Sequence, residues 1–128
     1  RELISRRCVD ILQPEVAALG GITEFRKIVA MATAWGIPII PHVWGSEVLV
    51  AADLHLVASL PDLPGALTPV QPMLEYDTTP NLFREHLARE PLEILKQVKE
   101  QDGYVSIPQK PGLGVELDED FVKKHRVG

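Results

Sequence analysis

The chain has 128 residues, a formal net charge of -5, 45% apolar residues, 24% charged residues and 5% aromatics. That balance is ordinary globular chemistry and excludes a disordered chain. The lack of a basic stripe argues against a nucleic-acid partner, and the lack of any apolar run of spanning length argues against a membrane one.

Arg1 to Arg7 has helical composition, as of a helix begun upstream. The chain opens on Arg1-Glu2 rather than on Met, which predicts a missing beginning. Val9, Ile11 and Leu12, with Cys8 alongside, spell a short strand ended by Gln13-Pro14-Glu15. Cys8 is the lone cysteine and is expected as a small buried hydrophobe. No disulfide can form within the chain, which suits a reducing compartment such as the cytoplasm.

Gly20-Gly21 marks a loop, and Thr23 is placed to cap the next helix with Glu24 in its first turn. Phe25, Ile28, Val29, Ala32 and Trp35 recur at three- and four-residue steps, an amphipathic face that Gly36 stops. Ile37-Pro38-Ile39-Ile40-Pro41-His42 then reads as a second, buried strand ending in a histidine. Trp44 and Gly45 follow, and Ser46 to Leu60 predicts a helix with Glu47 in its first turn. Leu49, Ala52, Leu56 and Leu60 fall on one side of that helix, and Pro61 and Pro64 end it in a loop. Met73-Leu74-Glu75-Tyr76 reads as a third short strand, and Asn81 to Ala88 as one or two helical turns.

After Pro91 the pattern changes. Leu92 to Lys99 fits a helix or an irregular strand equally well. Tyr104 to Ile107 alternates like a strand, Pro108 to Gly112 is turn chemistry, and Val115 to Leu117 suits a short strand. Asp118 or Asp120 then caps a short polar helix to Arg126. The expected division is therefore residues 1–90 as β/α units and residues 91–128 as a separate extension.

The order β, α, β, α, β implies an α/β fold with a parallel sheet and right-handed crossovers. The strands end at Glu15, His42 and Glu75, spaced by 27 and 33 positions. An eightfold barrel of roughly 250 residues allots about 30 to each unit, although a doubly wound sheet has similar units. No phosphate-binding glycine fingerprint follows the first strand, which argues against a dinucleotide site.

If these strands are neighbours, Glu15, His42 and Glu75 converge at their C-terminal ends. Glu15 would hold one imidazole nitrogen and fix its tautomer, leaving the other as a general base. Glu75 would meet a second substrate oxygen. The bland alternative is three surface polar residues at loop starts. Trp44 is either pocket wall or core filler, and Gln13 and Gln71 have weaker claims to the pocket. His55, His86 and His125 lack carboxylate partners at a persuasive spacing and are expected in solvent. There is no zinc-type ligand cluster and no serine elbow.

Five ordered blocks carry a resemblance that covers essentially the whole chain. They are Val9-Asp10-Ile11-Leu12-Gln13-Pro14-Glu15, Gly20-Gly21-Ile22-Thr23-Glu24, Ile39-Ile40-Pro41-His42, Leu74-Glu75-Tyr76-Asp77 and Pro111-Gly112-Leu113-Gly114-Val115. Together they resemble the last part of the enolase superfamily, mandelate racemase subgroup (the mandelate racemase/muconate lactonizing enzyme family). Within it, galactarolactone cycloisomerases and acid-sugar dehydratases are the nearest in character. The resemblance implies the last three β/α units, strands six to eight, of a modified TIM barrel. The tail after Pro91 would pack on a capping domain absent from this sequence.

The resemblance also implies roles. His42 matches the seventh-strand base, Glu15 its sixth-strand acidic partner, and Glu75 the eighth-strand acid that contacts the substrate carboxylate. The family's partner is usually Asp, and the extra methylene of Glu15 changes reach and ring orientation. A Mg²⁺ cofactor is implied, with ligands on strands three to five, upstream of Arg1. The implied chemistry is removal of the proton α to a carboxylate of a sugar acid or lactone through an enediolate. Dehydration, epimerisation or cycloisomerisation would follow. The implied partners are a small carboxylate substrate, the rest of the barrel with its cap, and further copies in a homo-oligomer. The competing expectation is a non-catalytic fragment or structural partner lacking the metal site; a third is a complete small doubly wound ligand-binding domain.

Overall fold

A computed structural model describes residues 1–62 and 71–127. Among the described residues six helices follow one another: α1 (Glu2–Ser5), α2 (Ile22–Ala34), α3 (Glu47–Ala58), α4 (Leu82–His86), α5 (Ile94–Glu100) and α6 (Glu119–Lys124). The chain forms two compact units, Arg1–Trp44 with Leu56–Asp77, and Gly45–His55 with Thr78–Gly128. Among the described residues no helix is long and apolar enough to cross a membrane.

In the first unit the two expected strands meet in parallel, with Leu12 opposite Ile39. Leu12 N–H donates to Pro38 O at 3.0 Å, Ile40 N–H to Leu12 O at 3.0 Å, and His42 N–H to Pro14 O at 3.3 Å. The ladder goes no further because Pro14 and Pro38 have no N–H to give. The pairing is thus a single bridge rather than a full strand pair. The expected third strand, Met73 to Tyr76, has no regular structure. Cys8 is exposed, contrary to expectation. It follows Arg7, whose positive φ of 50° turns the chain out of α1.

Helix α2 starts one residue before the expected cap. Gly21 holds the N-cap position without a side-chain bond, and Thr23 lies inside the helix. Phe25 and Ala32 are fully buried, while Trp35 is exposed beneath the Arg7 guanidinium, 5.3 Å from its ring. Gly36 closes the helix in a Schellman turn. Its N–H bonds Thr33 O at 3.0 Å, and the Ile37 N–H bonds Ala32 O at 2.9 Å. The φ of Gly36 is +66°, a conformation a Cβ disfavours even though nothing lies within 4 Å of where it would stand. Gly36→Ala is expected to destabilise the chain by about 1 kcal/mol, read as a lower urea midpoint at unchanged slope. An unchanged midpoint would contradict the left-handed turn.

Helix α3 buries more than the face the pattern suggested. Glu47, Val50, Ala51, Asp53, Leu54 and Val57 are buried along with the expected Leu56, whereas Leu49, Ala52 and Leu60 are only half-buried. This helix is apolar almost all round, so its periodicity says little about which side turns inward. The Asn81 side chain caps α4 by accepting from Phe83 N–H at 3.0 Å and Arg84 N–H at 3.2 Å. Leu92 to Lys99 resolves as α5, and Tyr104 to Ile107 forms no strand. Leu117 pairs antiparallel with Ala88. Of the two candidate caps for the last helix, Asp118 is the one used, accepting from Asp120 and Phe121 N–H at 2.9 Å. Pro64, read as part of a loop, lies outside the described residues.

Glu47 is 3% exposed. Its carboxylate accepts from the backbone N–H groups of Leu92 and Ala88, and its Oε2 has no partner among the described residues. Burial is the largest influence on its carboxyl and pushes it above the usual 4.5, against the lowering effect of those two bonds. The folded-state value therefore exceeds the unfolded one. The stability Glu47 contributes is whole below about 4.5 and is lost as pH rises through the raised value. Glu47→Gln keeps an acceptor for the N–H groups and removes the buried charge. Its urea midpoint is expected to exceed that of the unmodified chain at pH 7, with the advantage shrinking toward pH 4. An advantage independent of pH would reject the buried charge as its cause.

Candidate active site

Alternating burial along the chain builds the site. Ile39, Pro41 and Val43 turn inward and are buried, so His42 and Trp44 share the outward face. The His42 side chain is 46% exposed, and Trp44 as a residue is 65% exposed, which makes it no core filler. The backbone of His42 is tied to Pro14, which sets it beside Glu15, the next residue along.

The three strand-end residues come together within the first unit. His42 Nδ1 lies 2.8 Å from Glu75 Oε2. The same oxygen accepts from the Val43 N–H at 3.2 Å. His42 Nε2 lies 3.9 Å from Glu15 Oε2, an ion-pair distance rather than a hydrogen bond. Glu15 Oε1 accepts from the Ala17 N–H at 3.4 Å, which fastens this carboxylate to its own loop. The hydrogen-bonded partner of the imidazole is thus Glu75, where Glu15 was expected. The longer Glu15 side chain is bonded back on its own turn instead of closing on the ring.

The other histidines are placed differently. His55 Nε2 bonds Leu113 O at 3.3 Å and is half-buried, so the expectation of a solvated side chain fails for it. His125 Nδ1 bonds Phe121 O at 2.9 Å, and its ring lies 4.2 Å from that of Phe121. His86 is exposed. Gln13 is exposed, and Gln71 borders an apolar hollow of about 310 Å³ lined by Ile11, Ile37, Ile39 and Val57, which does not include the trio. Sequence reasoning missed the Val43 N–H as a second donor to Glu75. No side-chain pattern announces a backbone donor. It also missed the burial of Glu47, for which the flanking apolar residues Val48 to Ala52 were the available signal.

A carboxylate that holds one imidazole nitrogen, with the other nitrogen open, is an arrangement suited to moving a proton. Among the described residues no three His, Cys, Asp or Glu side chains gather in a way that could hold a metal ion.

Residues 1–121 match the family model described as Enolase C-terminal domain-like. The chain is 40% identical over 126 residues to the D-galactarolactone cycloisomerase of Agrobacterium fabrum, covering 98% of this chain and 32% of that protein. It is 30% identical over 125 residues to the arabinonate dehydratase of Saccharolobus solfataricus, covering 98% and 30%. Among solved structures, the 3,6-anhydro-D-galactonate cycloisomerase of Zobellia galactanivorans superposes with a TM-score of 0.74 at 32% identity, covering 97% of this chain and 31% of that one. The chain spans about a third of the length of the curated relatives it matches. These likenesses fit a piece of a TIM-barrel-type enzyme.

Proposed function

The chain belongs to the enolase C-terminal domain-like family, and from that premise we propose that it supplies the proton-transfer part of an enzyme acting on a sugar acid or its lactone. The observation that carries the reading is the imidazole of His42, flanked by Glu75 at 2.8 Å and Glu15 at 3.9 Å. His42 removes the proton α to the substrate carboxylate. The C–H electron pair moves onto the carboxylate as an enediolate, and the proton goes to the ring nitrogen. Return of a proton, loss of a β-hydroxyl as water, or attack within the ring then gives epimerisation, dehydration or cycloisomerisation. Trp44, on the face of His42, offers a flat apolar wall to the sugar.

Mg²⁺ is part of the same proposal but not of these residues. No described cluster fits it, so its ligands would have to come from polypeptide outside the chain, and no step is derived through it. The chain would act as the last three β/α units of a barrel, its tail after Pro91 resting on a capping domain, in a protein that assembles from several copies. The cytoplasm is the compartment consistent with that chemistry.

A chimera tests the reading. This chain replaces the matching third of the Agrobacterium fabrum cycloisomerase, and the folded product is given its lactone in deuterated water. Deuterium is expected at the α carbon. A folded chimera that exchanges nothing would favour the alternative, a chain that lends structure without catalysis.

A further inference from the structure

A hollow of about 620 Å³ lies within the second unit, between α4 and α6. Small-molecule pockets run from about 300 to 1,000 Å³, so it has the size for a ligand. Its floor is aromatic. The His125 ring lies 4.2 Å from that of Phe121 at an angle of 33°, and the His86 ring stands 6.3 Å from the same phenyl group. Phe83 meets Phe121 edge-on at 5.7 Å and fixes its orientation.

Most of the charge on the lining is already engaged. Glu85 Oε1 accepts from Asn81 N–H at 3.0 Å, and Asp118 Oδ1 accepts from Asp120 and Phe121 N–H at 2.9 Å. The Arg89 guanidinium is paired with Glu116 at 3.1 Å. Lys124 is exposed and, unlike its neighbour Lys123, has no carboxylate partner among the described residues. His125 Nδ1 lies 2.9 Å from Phe121 O. A carbonyl oxygen only accepts, so that ring nitrogen carries a proton, and in the neutral ring Nε2 is left as an acceptor. The lining therefore sets a cation and an acceptor on consecutive residues, beside the face of a phenyl ring. An inorganic anion would satisfy the cation and leave the acceptor unmatched, and a plain alcohol would do the reverse.

We propose that this hollow binds a small hydroxy carboxylate, with the carboxylate on Lys124, a hydroxyl donating to His125 Nε2 and the C–H face of the ligand on Phe121. The exposed His86 imidazole, which can donate or accept, meets a further hydroxyl. The hollow shares no residue with the trio of His42, Glu15 and Glu75. The assignment holds whether or not His42 moves a proton.

Sodium gluconate titrated into the 128-residue chain and followed by amide NMR tests it, with sorbitol and sodium acetate at matched ionic strength as partial mimics. Saturable shift changes are expected at Ala88, Phe121, Lys124 and His125, with a midpoint roughly tenfold lower than for either mimic, the weight of one lost charge-assisted hydrogen bond. Lys124→Gln, an exposed change whose fold the same spectrum checks, is expected to weaken gluconate by about tenfold, and Lys124→Arg to retain it. Shifts that grow without saturating, an equal response to sorbitol or acetate, or an unchanged midpoint in Lys124→Gln would overturn the assignment. Saturable changes confined to the surroundings of His42 would also overturn it, while supporting the reading of that trio as a sugar-acid site.

Discussion

His42→Asn in the chimera is expected to lower α-proton exchange in deuterated water by about 10²- to 10⁴-fold, the usual contribution of a placed general base. Fold stability is expected to stay within about 0.5 kcal/mol of the parent. The two expectations separate because His42 serves the fold through its backbone, whose N–H bonds Pro14 O at 3.3 Å, a bond that asparagine keeps. The side chain is 46% exposed, so little packing is lost with it. Exchange that persists would place the base on the opposite face of the substrate. Exchange that falls together with stability would mean that the ring is structural.

Phe25→Ala is expected to do the reverse at the level of the fold. Phe25 is completely buried in the first unit, together with Ile4, Val16, Ala32, Ile37, Ile39 and Val43. Truncating such a side chain typically costs about 3–5 kcal/mol in lost burial and residual cavity. Whole-domain stabilities are only about 5–15 kcal/mol. Urea unfolding of the 128-residue chain should show the change, with a smaller loss for Phe25→Leu. A cost under about 1 kcal/mol would mean that α2 is not packed as described. Because Ile39 and Val43 share that core and alternate with His42, a severe loss at Phe25 should also disturb the site. A milder variant at that position is the better probe of coupling between the two.

Recognition of the family came from short blocks in order along the chain, and the comparisons agree with it. Local signals in the second unit were also legible. Asn81 and Asp118 cap helices because their short side chains reach N–H groups two and three residues ahead, which is a matter of sequence neighbours alone. Gly36 ends α2 for an equally local reason. The sequence was less informative where several answers satisfy the same pattern. Helix α3 is apolar nearly all round, and the side it buries depends on what lies against it. The strands are shorter than their apolar runs, since a parallel ladder needs an N–H at every second residue and proline removes it at positions 14 and 38.

The site divides in the same way. The amino-acid order alone determined that His42 ends an apolar run and that Glu15 and Glu75 stand one unit away on either side; whether Trp44 fills the core or stands outside it was settled by its exposure in the structure. Only the tertiary structure decided which carboxylate the imidazole bonds. That choice turns on the reach of a side chain and on a backbone N–H at Val43 drawn to the same oxygen. It also decided that Glu47 lies buried, because the cost of hiding a charge depends on the residues that fold over it, and these lie some forty positions further along the chain.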